Sequence, residues 1–263
     1  MKAILAGLAC LLLAHPLLAD EGVRNPLQPS PSWEALRYDV ILSDDDPAPA
    51  DGIFDIDAPL RAANPAIVPL HITQSPDAPA IEKLVIVIDE NPAPVAASFT
   101  FGAAMQPLDF EIRVRVDAYS NIRAIATLAG GRQVMAGRFV RASGGCAAPA
   151  GSGADWLERA GQMRLREAGG EDGRQVSSLM IRHPNFSGLQ RDQVTLLHIP
   201  ARFIDRLEVT QDGQPLFTME AGISLSEDPV FRFAHAPGEV IEVRAGDTGG
   251  ANWEERFDAN QTR

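Results

Sequence analysis

The chain has 263 residues, 23 Lys+Arg against 35 Asp+Glu, a formal charge of −12, two cysteines and 20 prolines. That length holds one large domain or two small ones, and the acidic balance argues against nucleic acid or an anionic membrane as partner. So many prolines suit loops and strand edges better than helices.

The N-terminus, MKAILAGLACLLLAHPLLAD, follows the plan of a secretory signal peptide. Lys2 precedes an apolar stretch from Ala3 to Ala14, and Leu17-Leu18-Ala19 supplies small-residue cleavage after Ala19. The run is short for a bilayer and His15-Pro16 interrupts it, so residues 1–19 are expected to be removed on export to the periplasm. Cys10 would leave with them. Loss of Lys2 would give 22 basic against 35 acidic side chains, a charge of −13, and leave Cys146 as the one thiol.

From Asp20 to about Pro31 the chain is polar and proline-rich, the pattern of a leader. Lys83-Leu-Val-Ile-Val-Ile-Asp89 is continuously apolar between charges and predicts a strand buried on both faces. Glu111-Ile-Arg-Val-Arg-Val-Asp117 alternates, placing Ile112, Val114 and Val116 on one face and the charges on the other. Ile122 to Leu128 and Gln133 to Val140 flank Gly130-Gly131 as a hairpin. Residues 147–160 read as a linker, with the start of a helical turn at Asp155-Trp156-Leu157-Glu158. A second set of strands follows: Met163–Arg166 with Val176–Arg182, Leu207–Val209 with Leu216–Phe217 about Asp212-Gly213, and Val240–Arg244. The fold class expected is all-β, two antiparallel β-sandwich domains in tandem.

No phosphate-binding glycine loop, nucleophile elbow or metalloprotease helix occurs. His71, His183, His198 and His235 lack metal-ligand spacing, and Asp44-Asp45-Asp46 before Pro47 reads as a solvated turn. Neither a catalytic set, a metal nor a cofactor is expected. Cys146 is the feature that carries chemistry. It lies in Ser143-Gly-Gly-Cys-Ala-Ala-Pro-Ala150, with no large apolar neighbour, so an accessible thiol is expected rather than a small buried hydrophobe. Gly144-Gly145 loosens the backbone before the sulfur, which suits a carrier group better than a rigid nucleophile. An ordinary thiol has a pKa of about 8.5; Arg138 and Arg141 either raise the thiolate fraction or point away.

Several stretches resemble two known families. Glu82-Lys-Leu-Val-Ile-Val-Ile-Asp-Glu-Asn-Pro-Ala-Pro94, Ala97-Ser-Phe-Thr-Phe101 and Gly144-Gly145-Cys146 resemble the sulfur-carrier subunit SoxY. Ile181-Arg-His-Pro184, Ser187-Gly-Leu189, Ile199–Ile204, Val209-Thr210 with Asp212–Pro215, and Pro229–Phe233 resemble its companion SoxZ. The resemblance implies a SoxY-like domain over 33–146 ending in the GGC arm, a linker over 147–160 and a SoxZ-like domain over 161–258. It implies immunoglobulin-like sandwiches whose two halves pack together in cis. It further implies a swinging-arm cysteine, Cys146, hinged at Gly144 and Gly145, that holds covalent sulfur intermediates for separate enzymes, with the SoxZ-like half as a structural companion. One departure stands out: Ala147-Ala148-Pro149-Ala150 and over a hundred further residues follow the cysteine, so the arm is tethered at both ends. The fusion is similar to SoxYZ-like carriers associated with quinoprotein dehydrogenases. The expected role is thus a periplasmic carrier that is substrate, not catalyst, for redox enzymes of the sulfur-oxidising or quinoprotein type. A docking module for a periplasmic dehydrogenase, with Cys146 incidental, is the alternative.

Overall fold

The computed structural model describes residues 25–149, 156–170 and 173–258. The expected signal peptide and the middle of the expected linker lie outside them. Helix α1 (Pro31–Ile41) precedes β1 (Ala48–Pro49), β2 (Phe54–Asp57), β3 (Val68–Gln74), β4 (Ile81–Ile88), β5 (Val95–Phe101), β6 (Asp109–Val114), β7 (Ser120–Leu128) and β8 (Gln133–Val140). One helical turn, α2 (Trp156–Arg159), leads into β9 (Met163–Gly169), β10 (Gln175–Ile181), β11 (Ile204–Gln211), β12 (Gln214–Ala221), β13 (Val230–His235), β14 (Val240–Asp247) and β15 (Asn252–Asp258).

The two tandem all-β domains share their sheets. One layer runs β1-β8-β7-β4-β5-β12-β11-β14-β15 and the other β2-β3-β6-β13-β10-β9. Each layer therefore crosses from the first domain to the second without a break. The joints are antiparallel: β5 meets β12 with Phe99 opposite Met219, and β6 meets β13 with Phe110 opposite Phe233. Edge strands present unpaired N–H and C=O groups, and here each domain satisfies the other's edges in both layers. Between the layers the core is continuous as well. Phe99 and Phe110 (5.0 Å), Phe110 and Phe217 (5.5 Å), and Phe217 and Phe233 (5.2 Å) form an edge-to-face chain across the boundary.

Local sequence explains most elements. The β7–β8 hairpin turns at Gly130 and Gly131, φ 92° and 85°, and the β11–β12 hairpin turns at Asp212 and Gly213, φ 50° and 76°. Two successive positive φ values are what a two-residue hairpin with the sheet's own twist requires. Strand β4 is buried on both faces as its apolar run predicts. The cover on its outer face is α1, a helix absent from the strand-only expectation. Ser30 caps it, its Oγ accepting from the Trp33 N–H (3.2 Å), and Pro31 opens it. Trp33 and Ile41 then pack on Val87 and Ile125.

The alternation expected over 111–117 holds through Ile112 and Val114, both buried, and fails at Arg115. There β6 has ended, and the Arg115 N–H donates to the Ser224 carbonyl of the second domain (2.7 Å). The guanidinium turns inward with 0% exposure instead of facing water with the other charges.

Candidate functional site

Strand β8 delivers the chain to the thiol. Past Val140, Arg141 is held by the Leu60 carbonyl and Ala142 is buried; the backbone then turns through Gly144, Gly145 and Cys146. Five hydrogen bonds fix this turn. The Gly144 N–H donates to the Asp117 carbonyl (2.6 Å), the Gly145 N–H to the Val116 carbonyl (3.2 Å), and the Cys146 N–H to Asp117 Oδ1 (3.1 Å). Arg115 Nη1 donates to the Gly145 carbonyl (3.2 Å), and Ser187 Oγ donates to the Cys146 carbonyl (2.5 Å). Four of these come from the first domain and the last from the second. The thiol thus sits where the two domains meet.

The platform beneath the turn is braced in the same way. Asn91 Nδ2 donates to the Arg115 carbonyl (2.7 Å) and to Ser224 Oγ (2.8 Å), while its Oδ1 accepts from the Asp117 N–H (2.8 Å). Arg115 Nη2 reaches the Pro184 and Asn185 carbonyls of the second domain (3.4 and 3.5 Å). One guanidinium therefore ties the cysteine turn to the Ile181–Ser187 stretch.

The accessible thiol expected from the sequence is not found: Cys146 has 0% exposure. Its immediate neighbours are small, as read, but the turn that carries it packs against Pro65 and Val116 at Gly145 and is bonded to Asp117 and Ser187, all distant in sequence. Burial pushes the thiol pKa up to about 12, the Asp117 carboxylate adds to the rise, and Arg115 opposes it. Arg138 lies elsewhere, donating to Asp55 Oδ1 (2.5 Å), and Arg141 is exposed. The guanidinium that does act on the thiol is Arg115.

The two glycines differ. Gly144 has φ 75° and open space where a Cβ would stand, so glycine serves the left-handed backbone there. Gly145 is wedged; a Cβ would overlap the carbonyl oxygens of Pro65 and Val116. In this structure Gly145 is a close-packing residue, whereas Gly144 has open space beside it.

Among the described residues no imidazole is bonded to the thiol. His183 Nδ1 lies 2.7 Å from Asn185 Oδ1 and 3.0 Å from the Asn185 N–H, its Nε2 lies 3.3 Å from Asp247 Oδ2, and Arg202 Nε also binds that oxygen (2.7 Å). Burial holds the His183 pKa below the ordinary value against the pull of Asp247. His235 is likewise buried, against Ser177 Oγ (2.9 Å), and His71 pairs with Asp109 (2.7 Å). Among the described residues no group of three or more His, Cys, Asp or Glu side chains converges on a common point.

Sequence reading singled out Cys146, Gly144 and Gly145 and missed Arg115, Asp117, Asn91 and Ser187 as the residues that hold them. Asn91 and Ser187 stand inside the quoted family-like stretches, which is the one signal that could have found them. Arg115 gave none, since an arginine in an alternating strand reads as solvated.

Residues 39–146 match the family model described as sulfur oxidation protein SoxY, and residues 163–258 match that of sulphur oxidation protein SoxZ. No curated protein matches the chain. Among solved structures, the Parabacteroides merdae beta-glucuronidase aligns at 7% identity and a TM-score of 0.24, over 78% of this chain and 24% of the enzyme's.

Proposed function

This chain belongs to the SoxY and SoxZ families in tandem, and on that premise we propose that it is a sulfur-oxidation carrier whose Cys146 holds a covalent sulfur-containing group for separate enzymes. The observation that carries the reading is the position of Cys146. It is the last residue of the SoxY match, on a turn held by side chains of both domains. In the sulfur-oxidising form of the reaction, the thiolate and thiosulfate form a new S–S bond to give a cysteine S-thiosulfonate. The two electrons released pass to a redox partner such as a haem enzyme. The carrier thus needs a partner both to accept electrons and to cleave the adduct later. It is no catalyst by itself.

Further parts of the reading are export to the periplasm after loss of residues 1–19, Gly144 as the pivot of the cysteine turn, and service to a quinoprotein dehydrogenase system. Intact mass spectrometry of the protein taken from its native periplasm, before and after reductant, tests the centre of it. A reductant-labile mass on Cys146 equal to whole sulfur atoms or a thiosulfonate is expected. A bare thiol under conditions where the protein is needed, together with Cys146→Ser retaining function, would overturn it.

One observation favours a second reading, a non-catalytic docking module. Cys146 is fully buried and its turn is tethered at both ends. In that case Cys146→Ser leaves both partner binding and function intact.

A further inference from the structure

The buried thiol raises a question that the carrier role alone does not answer, namely what controls its release. Five hydrogen bonds hold the turn, while Ala147 on its far side is exposed and Gly144 on its near side faces open space. Of the five bonds, the one from Ser187 is the sole direct grip of a second-domain side chain on the cysteine residue itself. It is also the shortest.

Ser187 is well placed for a controlling contact. It is 4% exposed, its N–H donates to Gln190 Oε1 (2.8 Å), and its hydroxyl lies 3.0 Å from that same oxygen. The hydroxyl has a single proton, so donation to the Cys146 carbonyl and donation to Gln190 compete. A ready second acceptor lowers the cost of letting the cysteine go. The closed cluster is also incompletely satisfied. Gln190 Nε2 and Arg115 Nε are buried without a hydrogen-bond partner. Buried unpaired donors destabilise the arrangement that holds them. The closed turn is therefore held by several short bonds, yet leaves donors that water could satisfy once the turn lifts.

We propose that Ser187 of the second domain is a latch on the Cys146 turn, and that the thiol reacts only from a released state in which the Ser187–Cys146 and Arg115–Gly145 bonds are broken. The latch makes the second domain a controller of the carrier group and not merely its structural companion. Release swings on Gly144, the residue with room to move, and the wedged Gly145 leaves its seat between Pro65 and Val116. An electrophile in solution is thereby denied the thiol, while a partner able to displace Ser187 gains it.

The inference rests on the carrier reading for its purpose, but its test does not. Native full-length chain with intact thiol is alkylated with iodoacetamide at neutral pH, and the rate is compared between wild type, Ser187→Ala and Ser178→Ala. Ser178, on β10, makes no contact with the turn in the bonds described above and serves as control. Loss of one net hydrogen bond corresponds to about a five- to tenfold rise in the released fraction, and the alkylation rate of Ser187→Ala is expected to rise by that factor. Ser178→Ala is expected to match wild type. Amide exchange of residues 144–146 should quicken in Ser187→Ala while that of β4 and β7 stays unchanged, which separates local release from unfolding. An unchanged rate in Ser187→Ala overturns the latch. So does a wild-type rate equal to that of a small free thiol, or a rate that follows global unfolding across a urea series. None of these outcomes affects the adduct mass that decides the carrier reading, and a bare thiol in the periplasm would leave the latch result standing.

Discussion

Gly145→Ala is the sharpest single perturbation of the cysteine turn. The added Cβ would meet the carbonyl oxygens of Pro65 and Val116, both main chain, so no side-chain rotation can relieve the overlap. Overpacking of this kind costs about 1–3 kcal/mol, and the chain can avoid it by lifting the turn off its seat. At about 1.4 kcal/mol per decade, that raises the released fraction about 5- to 150-fold. The assay is alkylation of Cys146 under native conditions, read beside the thermal midpoint. Gly131→Ala is the companion variant. Its φ of 85° makes alanine strained by about 1–2 kcal/mol, but it sits on the distant β7–β8 turn with open space around it. It should lower the midpoint and leave the labelling rate alone. If Gly145→Ala labels at the wild-type rate, or Gly131→Ala speeds labelling as much, the wedge is not what seats the thiol.

Three further outcomes follow from the same geometry. Arg115→Met removes a buried guanidinium that serves carbonyls of both domains, and should cost about 2–4 kcal/mol in urea unfolding; a loss under 1 kcal/mol would refute its bracing role. The Cys146 pKa of about 12 keeps the thiolate a minority form, so the log of the alkylation rate should climb about one unit per pH unit through pH 10; a plateau near pH 9 would mark an ordinary exposed thiol. His183 and His235 both have pKa values lowered by burial, so the fold holds them neutral and the unfolded chain binds more protons below about pH 6.5. The stability they contribute is present above that pH and is lost as pH falls further; His235→Gln should flatten the decline in urea midpoint between pH 6.5 and 5, and an unchanged slope would count against this origin.

Local chemistry settled the elements. Alternation marked β6, a doubly buried apolar run marked β4, and glycine or Asp-Gly pairs marked the two hairpins, because backbone sterics and the period of a strand act over a few residues. The stretches shared with SoxY and SoxZ marked the two domains and pointed to Cys146, Gly144 and Gly145. Helix α1 went unread although Ser30-Pro31 and the spacing of Trp33, Leu36, Val40 and Ile41 carry a helix signal; only the structure shows that this face packs on Val87 and Ile125 of the sheet. The merger of two sandwiches into two continuous sheets was equally invisible: any β edge can pair, and which edges do so depends on the register of β5 with β12 and β6 with β13. The thiol's environment was decided at the same level. Glycine and alanine beside Cys146 say only that nothing local covers it, whereas solvent exposure is set by whatever the fold brings near. Against the Cys146 turn the fold brings Pro65, Asp117 and Ser187, 81, 29 and 41 residues away along the chain. Sequence alone singled out Cys146; the tertiary structure decided that its thiol is buried.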